Sequence, residues 1–74
     1  MTTDSYKPNK QVQKAIINQM IERAKQLIYE RQITNKAIAV VGGSTELLEQ
    51  NEEEITKQIQ SIEVYKSELE KIGD

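Results

Sequence analysis

The chain of 74 residues contains neither cysteine nor histidine. The first absence excludes disulfides, and the two together exclude the usual zinc ligand sets. Without histidine the commonest general acid–base group is missing too. No apolar run comes near the roughly 20 residues of a membrane span. The opening stretch MTTDSYKPNK is polar and lacks the apolar core of a signal peptide. The expectation is a cytoplasmic protein with no membrane partner.

A chain of this length allows one domain. At about 60 residues only about 60% of the unfolded surface is buried on folding. Small scaffolds compensate with disulfides, a metal or a partner chain. With disulfides and zinc excluded, association with another chain is the remaining common remedy.

Formal net charge is −2. Residues 1–37 carry seven Lys/Arg and three Asp/Glu, a net of +4. Residues 38–74 carry three Lys and nine Asp/Glu, a net of −6. Either the halves face each other or one of them faces a charged partner.

The single proline, Pro8, disfavours helix at Lys7, and Asn9 suits an N-cap. Residues 1–9 are therefore expected as a flexible N-terminal tail. Val12, Ile16, Ile17, Met20, Ile21, Ala24, Leu27 and Ile28 then recur at spacings of three and four. That is the period of an amphipathic helix. Leu48, Ile55, Ile62 and Leu69 lie seven apart, with Tyr65 and Ile72 three beyond the last two. This is a heptad seam, with Ile59 beside it. Between the two segments, Gly42 and Gly43 give a helix stop, and Ser44 gives a helix start. The pattern predicts helices over about 10–41 and 45–72 with a bend at 42–43. The fold class is all-α: an antiparallel, coiled-coil-like helical hairpin over 10–74.

Folding the chain at the glycines predicts that facing residues have numbers summing to about 85. Ile38 then meets Leu47 or Leu48, Ala24 meets Ile62, and Leu27 and Ile28 meet Ile55 and Ile59. Met20 and Ile21 meet Tyr65, Ile16 and Ile17 meet Leu69, and Val12 meets Ile72. A polar layer follows from the same register: Arg31, Thr34 and Asn35 against Asn51 and Glu52, with Arg31 near Glu54. Such layers can fix register at a cost in stability. The charge asymmetry has a simple reading, a basic helix lying along an acidic one. The doublets Ile16–Ile17, Met20–Ile21 and Leu27–Ile28 widen the apolar stripe beyond one two-helix seam. A second hairpin completing a four-helix bundle would cover it. Ile17, Met20, Ile21, Leu27 and Ile28 are the residues expected to self-associate.

The stretch KAIAVVGGST has the look of a strand, a phosphate loop and a helix start. No lysine follows Gly43, the G-x-G-x-x-G spacing is absent, and nothing else reads as strand. The β-branched residues in 37–41 leave open whether that segment is helical or extended. The run Glu52–Glu54 points in directions about 100° apart, so it cannot converge on one ion. Ser44, Ser61 and Ser67 have no visible base, and the tyrosines are isolated. No cofactor, metal or catalytic residue is expected.

The reading is a non-catalytic protein–protein interaction module: a small assembly, adaptor or regulatory factor acting as a homodimer or higher homo-oligomer. The groove could also take another protein. The alternative is a nucleic-acid-associated regulator using Lys7, Lys10, Lys14, Arg23, Lys25, Arg31 and Lys36. An acidic face that imitates nucleic acid fits the second helix about as well.

Overall fold

The computed structural model describes residues 6–73. Of the expected 1–9 tail, residues 1–5 lie outside the described residues, as does residue 74. Two helices pack against each other, α1 over Lys10–Val40 and α2 over Thr45–Ile72. The hairpin is 53 × 24 × 16 Å. Its radius of gyration is 16.8 Å, against about 11 Å for a compact domain of this length. The described residues form a rod with one seam, so none of them lies far from solvent.

Each helix end is set by a short-range device. Asn9 accepts from Val12 N–H at 2.9 Å, filling one of the orphan donors of the first turn. Gln13 Nε2 donates to the Pro8 carbonyl at 2.6 Å, tying the approach to the helix. Ser44 accepts from Leu47 N–H at 3.1 Å, and Glu46 occupies the electropositive first turn of α2. The segment 37–40 is helical rather than extended, and Val41 caps α1 with its N–H on the Ala37 carbonyl.

The two glycines of the bend have different causes. Gly42 has φ +74°, a left-handed conformation that a Cβ would strain. Gly43 donates to the Ile38 carbonyl at 2.8 Å, the longer bond of a Schellman-type stop. A Cβ on Gly43 would collide with Cγ2 of Ile38. One position needs the backbone freedom and the other needs the space.

Side chains at Ile17, Ile21, Ala24, Ile28, Arg31, Asn35 and Ile38 repeat at alternate steps of four and three. On α2 the matching row is Leu48, Asn51, Ile55, Gln58, Ile62, Tyr65, Leu69 and Ile72. That alternation is a heptad, and it keeps one stripe of each helix against its neighbour. Ile21, Ala24 and Ile62 form the buried core, with Ile17, Ile28, Tyr65 and Leu69 packed on it. Ile55 is buried further towards the bend. The hydrogen-bonded pair Asn35 and Asn51 fixes the register at a sum of 86. Continued along the heptads, it sets Ile38 opposite Leu48, Ala24 opposite Ile62, and Ile17 opposite Leu69.

Two expected placements differ. Ile59 is not in the seam: it is 48% exposed, because Gln58 holds the heptad position. Ile21, expected at the self-association face, is buried in the seam, while Ile17 and Ile28 pack on it and are half-buried.

Candidate functional site

Two features of the hairpin exceed what a plain two-helix seam requires: a polar relay across the seam and an apolar flank beside it.

The relay crosses between the helices three times. Arg31 Nη1 donates to Asn51 Oδ1 at 3.3 Å. Asn51 Nδ2 donates to Asn35 Oδ1 at 2.7 Å. Asn35 Nδ2 donates to Glu52 Oε1 at 3.2 Å. A cation thus feeds an anion through two amides that point the same way. Turning either amide over would set donor against donor. Glu54 lies outside this relay, since it accepts from Gln58 Nε2 on its own helix at 3.3 Å. The expected approach of Arg31 to Glu54 is replaced by the Asn51 bond. Thr34 is also outside, because its hydroxyl donates back to the Glu30 carbonyl at 2.8 Å. Among the described residues, no buried side-chain polar atom lacks a hydrogen-bond partner.

The flank resolves the three apolar doublets. In each, one residue packs in the seam and its neighbour lies towards one edge, where Leu27 is half-buried and Ile16 and Met20 are exposed. Ile17, Ile21 and Ile28 are inside, while Ile16, Met20 and Leu27 lie along one edge of α1. Ile16 is 45% exposed and Met20 36%. Val64 on α2, 57% exposed, lies across the same groove. Tyr65 completes the apolar wall, and Lys7, Lys10, Glu68 and Lys71 stand at the rim. The groove encloses about 870 Å³ and is open along its length. Lys71 and Glu68 pair with each other at 3.3 Å on the exposed face of α2. The groove is an open, mostly apolar furrow along the two helices.

Smaller apolar patches lie elsewhere. Tyr29 and Ile33 edge a shallow depression with Glu52 on the other side of the hairpin. Val40 and Val41 stand exposed at the tip of the bend.

Charge is distributed along the rod in a way that only the register reveals. The open half, residues 6–25 with 61–73, carries seven Lys/Arg and four Glu, a net of +3. The bend half, residues 26–60, carries three Lys/Arg and six Glu, a net of −3. Among the described residues, ion pairs form only within helices: Lys25 with Glu22 at 3.5 Å, and Lys71 with Glu68. The basic helix lies beside the acidic one, but the short-range links between them are amides rather than ion pairs across the seam.

Among the described residues, no cluster of three or more His, Cys, Asp or Glu could hold a metal ion. No helix among them is long and apolar enough to cross a membrane. Compared with protein-family models, with curated proteins and with solved structures, the chain matches none.

Proposed function

We propose that this chain is a non-catalytic protein–protein interaction module that works as a homodimer, two hairpins forming a four-helix bundle. The observation that carries this reading is the apolar flank of Ile16, Met20 and Val64, set directly beside a thin core. Among the described residues, four hydrophobic residues are buried, and no large side chain is fully enclosed. A second hairpin on the flank adds a second apolar layer without disturbing the first.

Sedimentation equilibrium over a dilution series tests this. The expected mass at micromolar concentration is twice 8.5 kDa. Replacing Met20 and Val64 together by Glu should halve that mass while the far-ultraviolet helical signal persists. A wild-type chain that is folded and monomeric at micromolar concentration overturns the proposal.

Nucleic acid is the lesser alternative, resting on Lys7, Lys10 and Lys14 at the open end. Glu63, Glu68 and Glu70 share that end and weaken its field. Duplex DNA binding that falls steeply with salt would favour the alternative.

A further inference from the structure

Resting on the self-association reading, we infer that the second copy docks on the flank in parallel, with both bends at one end and Glu30 of each copy against Lys57 of the other.

The flank continues beyond the groove. The groove takes Ile16 and Met20 from α1 and Val64 and Glu68 from α2. Steps of seven from these residues keep to the same side of each helix. On α1 they reach Leu27, Glu30, Thr34 and Val41, and on α2 Ser61, Lys57, Glu54 and Leu47. The flank is therefore apolar at the open end, charged in the middle and apolar again at the bend. Val41 is 81% exposed there and Leu47 49%. Among the described residues, neither Glu30 nor Lys57 has an ion pair within the hairpin.

Two hairpins laid flank to flank can be related by a two-fold axis along the rod or across it. With the axis along the rod, α1 of each copy faces α2 of the other at the same level. Residues at one level have numbers summing to about 86, the sum set by Asn35 and Asn51. Met20 shares a level with Val64, Glu30 with Lys57, and Val41 with Leu47, each to within two residues. A parallel copy thus sets apolar on apolar at both ends and cation on anion between them, each pair formed twice. With the axis across the rod, each helix faces its own counterpart. Full overlap then brings Met20 near the partner's Thr34 and Glu54 near the partner's Glu68. That arrangement buries apolar surface against polar surface and sets like charges together.

The opposite charges of the two rod ends do not oppose the parallel pair, because most of them lie off the flank. Of the six glutamates in the bend half, Glu46, Glu49, Glu52 and Glu53 hold other heptad positions. The flank rows from Gln13 to Val41 and from Leu47 to Lys71 hold Arg23, Lys57 and Lys71 against Glu30, Glu54 and Glu68, a net of zero. Lys7 and Lys10 of the two copies stand at diagonal corners of the bundle. At helix spacings of about 8–10 Å these corners are about 13 Å apart, beyond the screening length of about 10 Å at 0.1 M salt.

Charge reversal tests the pairing. E30K should raise the dimer dissociation constant about tenfold at low salt, because each dimer holds the pair twice. K57E should act alike. E30K and K57E together should return the constant to within about threefold of wild type. E53K makes the same change of net charge off the flank and should move the constant by less than about twofold. A second measurement uses the cysteine-free sequence. A nitroxide label on E46C, beside the bend and off the flank, should give a pair distance within about 30 Å across the bundle. An antiparallel pair would hold the labels about 40 Å apart or more, the length of α2.

A dimer that E30K leaves unchanged, that the double swap does not restore, or whose labels lie at the longer distance overturns the parallel arrangement and leaves self-association standing. A wild-type chain that stays monomeric overturns both.

Discussion

The isoleucine layers around Ile21, Ala24 and Ile62 and the amide layer of Arg31, Asn35 and Asn51 occupy the same seam about ten residues apart. The first is non-directional. Any apolar side chain of similar volume at Ile62 would be tolerated, and sliding α2 by one heptad would still set isoleucine against isoleucine. The second is directional. A slide by one heptad would separate Asn35 from Asn51, setting Asn51 level with Ile28 in one direction and Asn35 level with Gln58 in the other. The apolar layers supply affinity between the helices, and the amides select one register from several near-equivalent ones.

The largest break in this comparison comes from the apolar side. Ile62→Ala removes a buried side chain from the centre of the core and should lower stability by about 2–4 kcal/mol. Urea unfolding at one fixed protein concentration reads it, because association would make the midpoint depend on concentration. A loss under about 1 kcal/mol would mean that the central layer is not what holds the hairpin.

Asn51→Ala should come next. It strips partners from both Arg31 and Asn35 but leaves them close to water, so about 1 kcal/mol is expected rather than the larger cost of a sealed site. The sharper experiment replaces Asn35 and Asn51 together by Leu. Stability should rise or hold, while the backbone amide spectrum should show more than one set of signals from mixed registers. A single sharp set would mean that the bend alone fixes the register.

That outcome matters because the bend was the most legible part of the molecule. Gly42, Gly43 and Ser44 read directly as stop and start, and the expected facing sum of 85 differs by one from the observed 86. Ser44→Ala should therefore cost about 1 kcal/mol through the lost cap on Leu47, visible as a lower thermal midpoint. The doublets were harder. Adjacent helical residues differ by about 100° in direction. The apolar pattern alone does not say which member of Ile16–Ile17 or Met20–Ile21 turns inward. The deciding signal lay further along, in Arg31, Asn35 and Ile38, which continue in phase with Ile17, Ile21, Ala24 and Ile28 and not with Ile16 and Met20. Gln58 keeps the heptad phase of Ile55 and Ile62, so it faces the seam and its apolar neighbour Ile59 does not. The charge ends were illegible without the register. Sequence halves of +4 and −6 describe two helices, whereas the folded rod regroups the described residues into ends of +3 and −3.

The smallest predicted effect separates geometry from charge within the relay itself. Glu52 is exposed and closes the chain of donors by accepting from Asn35. Glu52→Gln keeps an acceptor oxygen at that place and removes only the charge. If the relay acts through directed hydrogen bonds, this change should move stability by less than about 0.5 kcal/mol, and any movement should vanish in strong salt. Asn51→Ala, by contrast, should cost the same at low and high salt, because amide bonds are little screened. A salt-sensitive loss at Glu52 comparable to that at Asn51 would make the layer an ion pair with amide spacers. The comparison with the isoleucine layers would then be one of long-range attraction against contact rather than of register against affinity.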